Sequence, residues 1–198
     1  MSLQGRVDAV VIGASAGGIE ALNVLLPALS QYLRPPVFIV VHLPRDQPSM
    51  LADIFSKKCA VPVREAQDKE TVASGTVYFA PANYHLLIDR GPQLSLSADD
   101  LVHHSRPSVD VLFESAADIY KNRLLGVILT GANEDGASGL AAVHDAGGVT
   151  VVQRPDTAQA PNMALSALKL RPADWVLTLD EIAAMLRTLD ALPSRGVN

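Results

Sequence analysis

The sequence contains a single cysteine, Cys59, among 198 residues, so an intrachain disulfide is excluded. It also lacks basic clusters: the longest is Lys57-Lys58 and the net charge is -5, so a nucleic-acid-binding surface is not predicted. No apolar run approaches the ~20 residues that a membrane span needs, and the N-terminus has no signal-peptide pattern. These absences predict a cytoplasmic protein without a nucleic-acid partner or an inserted membrane segment.

Hydrophobic residues make up 48% of the chain, which suits one domain over residues 1–198 with a full core. Strand-like apolar runs alternate with segments of helical spacing, and this alternation predicts an α/β fold with a doubly wound, mostly parallel, Rossmann-like three-layer sheet. The predicted strands are 7–12, 37–41, 125–129, 149–152 and 175–177. The predicted helices cover 18–33, 49–58, 108–121, 162–169 and 180–192, and a further helix ends at 146.

Two details refine this prediction. Pro27 should kink or split the first helix, because proline removes a backbone donor and clashes with the preceding turn. The region 61–99 contains short β runs at 77–79, 85–88 and 93–96. The last two flank the turn 89–92, so we expect a hairpin there as an antiparallel addition to the fold.

The segment Gly13-Ala14-Ser15-Ala16-Gly17-Gly18 directly follows the first apolar strand. A serine among small residues, between a buried strand and a helix, is typical of a nucleophile elbow, and the Ala16 amide can then stabilise an oxyanion. The dinucleotide fingerprint is not matched, because Ser15 stands where it needs glycine, and a P-loop sequence is absent. An anion-binding loop or a purely structural turn remain the alternative interpretations.

Three chemically capable residues follow three predicted strands: Ser15, His42 and Asp135. Ligands of doubly wound sheets bind at the carboxyl ends of the strands, so these residues are expected to meet. A serine nucleophile needs a base, and the base needs a carboxylate that orients it. Asn133 and Glu134 compete with Asp135 for the acid role, but Asp135 directly precedes the next helix and is the better candidate.

Other candidates carry weaker signals. His85 begins a hairpin strand and can line the cleft, whereas His103 and His104 lie in a polar loop beside Arg106. No carboxylate or cysteine spacing supports a metal site there, and neither a metal nor another cofactor is expected. Arg106 can either bind a substrate anion or pair with Asp110.

Several motifs together resemble the catalytic domain of CheB-type chemotaxis methylesterases over about residues 7–180. They are the motifs at 12–18, 41–44, 78–81, 106–110, 129–131 with 135–137, and 146–148. The resemblance implies hydrolysis of glutamate methyl esters on chemoreceptors, and possible deamidation of receptor glutamines. It assigns the nucleophile, base and acid to Ser15, His42 and Asp135.

The chain departs from the family pattern in three places. Ala132 stands where the family usually has methionine, and Ala164 follows Met163 where the family usually has proline. Family members commonly carry an N-terminal receiver domain, whereas the first catalytic strand begins here at Val7, so control by receiver phosphorylation is not expected. A noncatalytic partner-binding domain, or a serine hydrolase for another ester, are the alternative functions.

Substrate recognition should depend on local positive groups, because a protein of net charge -5 has no general attraction for an acidic receptor helix. Arg106 is the first candidate and Arg45, just past His42, the second. The planar guanidinium of arginine can hold a carboxylate or an amide through two contacts.

Overall fold

The structure, a computed structural model, describes residue 3 and residues 5–43 and 49–189. Its strands are β1 (Ala9–Ala14), β2 (Val37–Val41), β3 (Val63–Glu65), β4 (Val77–Phe79), β5 (His85–Asp89), β6 (Gln93–Ser97), β7 (Leu124–Ile128), β8 (Val149–Gln153) and β9 (Trp175–Leu177). Its α-helices are α1 (Gly18–Leu25), α2 (Leu51–Ser56), α3 (Val109–Tyr120), α4 (Ala137–Asp145), α5 (Asn162–Leu170) and α6 (Leu179–Arg187).

Seven strands form one parallel sheet in the order β3-β4-β2-β1-β7-β8-β9. The chain builds outward from β1 through β2 and β4, then returns to place β7 on the other side of β1. The predicted doubly wound α/β fold is therefore confirmed. A crevice for a ligand is expected where the strand order reverses, at the carboxyl ends of β1 and β7.

The predicted hairpin is also confirmed, since β5 and β6 pair antiparallel as a separate two-stranded sheet. The rest of the region around it is different from the prediction. The run 77–79, grouped with the hairpin in the sequence, is β4 of the main sheet, and β3 was not predicted at all. β3 has only three residues, and Arg64 and Glu65 are exposed and charged, so no apolar pattern identifies it as a strand.

The central strands do not alternate between apolar and polar residues, because helices cover both faces of the sheet. Val10 and Ile12 of β1 join the core beneath α1, α2 and α6, whereas Ala9 and Val11 join the core beneath α3, α4 and α5. Successive side chains of a strand point to opposite faces, so a strand between two helical layers must be apolar throughout. Within the part of the chain that the structure describes, none of the helices combines the length and apolarity of a bilayer crossing.

The first predicted helix ends earlier than its hydrophobic spacing suggests. The α-helix stops at Leu25, and a 3₁₀ turn at Leu26–Ala28 contains Pro27, which confirms the predicted break. The last helix, predicted to reach 192, ends at Arg187, and its predicted final residues lie partly outside the described chain.

A close contact between β1 and α3 sets the position of the crevice wall. A methyl group added at Gly13 would lie 2.3 Å from Cγ1 of Val109, the first residue of α3. Only a residue without a side chain at position 13 therefore lets the N-terminus of α3 lie against the end of β1.

We expect Gly13→Ala to lower the free energy of unfolding by about 1–3 kcal/mol, the usual cost of overpacking a core. Val109→Ala removes the methyl group that the new side chain would meet. The double variant should therefore lose less than the sum of the single losses, by about 0.5–3 kcal/mol, when urea unfolding is measured. Additive losses would mean that the two positions do not constrain each other.

Candidate active site

Three loops meet at the carboxyl edge of the sheet, beside the point where the strand order reverses. Ser15 directly follows β1, His42 directly follows β2, and Asp135 lies in the loop between β7 and α4. Because β2 and β7 flank β1 on either side, the order of the strands puts Ser15 between the other two loops.

Asp135 is the best anchored of these side chains, and it is 1% exposed. Its Oδ1 accepts hydrogen bonds from Oγ of Ser108 at 2.8 Å and from the backbone N–H of Asp110 at 3.0 Å. Its Oδ2 accepts from the N–H of Val109 at 2.7 Å and from Nε2 of His42 at 2.8 Å. The carboxylate therefore lies on the N-terminus of α3 and faces His42.

These contacts decide the charge of Asp135. Burial alone acts to raise its pKa, but the hydrogen bonds from His42 and from the amides of Asp110 and Val109 outweigh burial and hold the pKa below its ordinary value. Asp135 is therefore a carboxylate at neutral pH and can only accept hydrogen bonds. The proton between the two side chains consequently belongs to Nε2 of His42.

His42 has a second polar neighbour on its other nitrogen. Nδ2 of Asn133 lies 3.1 Å from Nδ1 of His42. Glu134, the other competitor for the acid role, points elsewhere: its carboxylate is 70% exposed and lies 3.4 Å from Nδ1 of His103. Of the three candidates for the acid, only Asp135 contacts His42 through a carboxylate.

The serine loop is fixed through its backbone. The N–H of Ser15 donates to the carbonyl of Thr130, and the carbonyl of Ser15 accepts from the N–H of Gly18. Gly17 has a φ of 78°, in the left-handed region that glycine adopts without strain. Ala16 is exposed, and its N–H makes no hydrogen bond to the described residues.

Gly131 lies between the serine and helix α5. A side chain there would come within 1.8 Å of Sδ of Met163 and 3.0 Å of Cβ of Ser15. The absence of a side chain at 131 therefore allows the acid loop to lie directly beside the serine. No hydrogen bond joins the Ser15 hydroxyl to His42 in the described structure.

The three residues expected to bind substrate have different positions. Arg45 lies outside the described residues. Arg106 donates from Nη1 to the carbonyls of Ala98 and Asp99, and its Nε is buried without a partner. This side chain forms no ion pair with Asp110 among the described residues, so that alternative is not supported.

His85 is 2% exposed and lies behind the cap of α3. Its Nδ1 accepts from the N–H of Ser108 at 3.2 Å, and its Nε2 donates to the carbonyl of Asp100 at 3.0 Å. Both ring nitrogens are thus engaged by the backbone. We therefore correct the expected substrate-binding role of His85 to a structural one, support of the residue that caps α3.

Sequence reasoning missed two residues that hold the site together. Ser108 was predicted only as the start of a helix, although a serine before a helical apolar pattern is a usual N-cap signal. Thr130 accepts from the N–H of Ala160 and donates to the carbonyl of Ala16, so it joins the serine loop to the loop before α5. No local sequence pattern identifies Thr130 as the residue that joins these two loops.

A groove of about 400 Å³ opens next to Asn133. It is lined by His103, His104, Ala132, Asn133, Glu134, Asn162 and Ser166. In the described part of the chain, no group of three or more His, Cys, Asp or Glu side chains is arranged to hold a metal ion.

A second buried carboxyl group, Asp110, lies behind Asp135. Its Oδ1 accepts from the N–H groups of Gly136 and Gly139, and its Oδ2 lies 3.3 Å from Nε2 of His103. Burial raises its pKa to about 6, with a contribution from the Asp135 charge, although the Gly139 amide and His103 act in the opposite direction.

Asp110 should therefore make the folded protein less stable as the pH rises from about 4 to about 6. In that window the unfolded chain releases the proton and the folded protein keeps it, so rising pH favours unfolding. Asp110→Asn removes this titration while its amide oxygen can still accept from both glycines. The stability of the variant relative to the unmodified protein should rise through the window and then level off.

Chemical unfolding at pH 4, 5, 6 and 7 measures this difference. Asp156→Asn, at an exposed turn, is the matched control for the loss of one charge. A difference for Asp110→Asn that stays constant with pH would contradict a raised pKa.

Comparisons with known proteins agree with this geometry. The family model described as CheB methylesterase matches residues 10–186. A Leptospira interrogans protein with protein-glutamate methylesterase/protein-glutamine glutaminase in its name is 45% identical over 183 residues, which is 92% of this chain and 95% of that protein. A Clostridium acetobutylicum protein with the same designation is 36% identical over 89% of this chain and 51% of its own length.

A solved structure gives the same result in three dimensions. The crystal structure of the Thermotoga maritima CheB methylesterase catalytic domain superposes with a TM-score of 0.88 at 33% identity, over 92% of this chain and 98% of that one. The sequence match and the shared fold lead to one conclusion: the chain belongs to the CheB methylesterase family.

Proposed function

We propose that this protein hydrolyses glutamate methyl esters on chemoreceptors, and also deamidates receptor glutamines, in chemotaxis or similar cytoplasmic signalling. The observation that carries the proposal is the 2.8 Å hydrogen bond from His42 to the buried Asp135 carboxylate, on the sheet edge that also bears Ser15. Family membership and the designations of the relatives support the choice of ester. A domain that only bound a partner would not need a histidine oriented by a carboxylate on the sheet edge that bears the serine.

In the proposed reaction, Oγ of Ser15 attacks the ester carbonyl and Nδ1 of His42 accepts the hydroxyl proton. His42 then gives this proton to the leaving methoxide, so methanol departs and an acyl-serine remains. Water, activated by the same nitrogen, releases the glutamate carboxylate and regenerates Ser15. For a glutamine substrate the leaving group is ammonia, and the other steps are the same.

Asp135 and Ala16 have supporting roles in this proposal. The Asp135 carboxylate keeps the proton of the neutral ring on Nε2 and stabilises the imidazolium that forms during the reaction. The N–H of Ala16, which has no partner among the described residues, is the proposed donor to the oxyanion. The groove lined by Asn133, which contacts His42, is the proposed surface for the substrate chain.

Ser15→Ala should abolish release of methanol from a methylated receptor fragment while leaving the melting temperature unchanged, because the side chain is at the site but outside the core. Ser138→Ala, an exposed serine of α4, is the matched control and should keep full activity. Equal activity of the Ser15→Ala variant and the unmodified protein would eliminate serine catalysis and leave the binding-domain alternative.

Asp135→Asn should lower kcat by a factor on the order of 10⁴, by analogy with the acid of a serine protease triad. The amide can donate as well as accept, so it no longer requires the ring proton to reside on Nε2. Initial rates at saturating receptor fragment measure this effect. A loss of less than about tenfold would show that another group orients the base.

Arg106 and Arg45 remain the proposed contacts to the receptor. Nε of Arg106 is unpaired, and this residue borders the same small cavity as Leu43, the neighbour of His42. We expect Arg106→Ala or Arg45→Ala to cost about 1–3 kcal/mol of transition-state stabilisation, measured as a lower kcat/KM for the receptor. The kcat/KM for a small activated ester should not change. Arg187→Ala, on the exposed side of α6, is the control. Equal losses on both substrates would mean that the arginine supports the catalytic loops instead.

A further inference from the structure

Both ring nitrogens of His42 have a polar partner, and one partner is a residue without a role in the proposed triad. Nε2 must carry the proton, because Asp135 is ionised and can only accept. Nδ1 of the neutral ring is then an acceptor that can take a hydrogen bond from a facing donor. The NH₂ group of Asn133, 3.1 Å away, supplies that donor.

The other end of the same amide has no partner. Oδ1 of Asn133 is buried and accepts no hydrogen bond. A buried acceptor without a donor is unfavourable, so this atom is expected to gain a donor in some state of the site. The obvious donor is His42 itself, because Nδ1 becomes an N–H group once it has taken a proton.

We propose that Asn133 is a positioning residue for the catalytic base in both of its protonation states. In the resting site its NH₂ group donates to Nδ1 of His42 and keeps that nitrogen an unprotonated, hydrogen-bonded acceptor. After proton transfer, a half-turn of the amide presents Oδ1 to the new N–H group and holds the imidazolium. The torsion involved has two nearly equivalent orientations, so the turn is available without a new rotamer.

This role rests on the proposed function, since it acts through His42 as the base. It also explains why Ser15 has no hydrogen bond to His42 in the described structure: Asn133 occupies the lone pair that the serine hydroxyl will use. The asparagine must share or release that lone pair when a substrate is bound. Asn133 contacts no substrate atom in this scheme and acts only through the imidazole ring of His42.

A spectroscopic measurement tests the hydrogen bond without relying on catalysis. In protein with ¹⁵N-labelled histidine, on an inactive Ser15→Ala background, the Nδ1 resonance of the neutral His42 ring should be that of a hydrogen-bonded acceptor. Asn133→Ala should move it toward the position of a free acceptor. Asn133→Asp should convert it to a protonated nitrogen, because a carboxylate can accept from an N–H group but cannot donate to a lone pair.

Kinetics on the active protein provide the second measurement. Asn133→Ala should lower kcat about tenfold and Asn133→Asp about a hundredfold, with KM for the receptor fragment unchanged, since general acid–base catalysis contributes roughly 10²–10⁴. Asn122→Ala and Asn122→Asp, at an exposed position before β7, are the matched controls and should change neither the resonance nor the rate. Asn133→Ser, whose hydroxyl is too short to reach the ring, replaces Asn133→Ala if that variant is unfolded.

Three outcomes would overturn the proposal. An Nδ1 resonance that is the same with and without Asn133 would exclude the hydrogen bond. An increase in KM with unchanged kcat would make Asn133 a substrate contact rather than a support of the base. Equal behaviour of the Ala and Asp variants in both measurements would make it a space-filling residue. Failure of the proposed function is recognised separately, because the resonance test does not depend on turnover.

Discussion

The site depends on the burial of one carboxylate, Asp135, at the N-terminus of a helix. A buried charge is costly unless donors replace the lost water, and here four hydrogen bonds replace it. Three of them come from the cap and first turn of α3, where free N–H groups and the helix dipole both favour a negative charge. The fourth comes from His42, so the interaction that stabilises the charge also orients the proposed base.

The N-termini of α3 and α4 lie together here, and each provides hydrogen-bond partners for the other. Asp135, from the loop before α4, accepts from the first amides of α3, while Asp110, from the first turn of α3, accepts from Gly136 and Gly139 at the start of α4. Each helix start thus supplies the acid that binds the amides of the other. This exchange fixes the acid loop on both sides, and the contact of Val109 with Gly13 holds the pair against the strand that carries Ser15.

The orientation of His42 follows from the same anchor. Because Nε2 is bound to the acid, Nδ1 is the nitrogen left for proton transfer, and the side chain next to it is that of Asn133. The loop between β7 and α4 therefore contacts both edges of the ring, with an acid at one residue and an amide two residues earlier. A single loop can thus control where the ring proton resides and what faces the reacting nitrogen.

By itself, the sequence determined the central layers of the fold and the three residues at its carboxyl edge. Strands such as β1 and β2 are continuous apolar runs, and Ser15, His42 and Asp135 each follow a strand that the pattern identifies. Such features are local, since a continuous run of apolar residues identifies a strand that is buried on both faces and also shows where that strand ends. Only the tertiary structure decided the placement of β3 and β4, the structural role of His85, the cap at Ser108 and the contact of Asn133. Each of these depends on groups that are distant in the chain, and Ser108 lies 27 residues from the carboxylate that it binds. A hydrogen bond between distant segments leaves no period in the sequence, because its geometry exists only when the sheet brings the loops together.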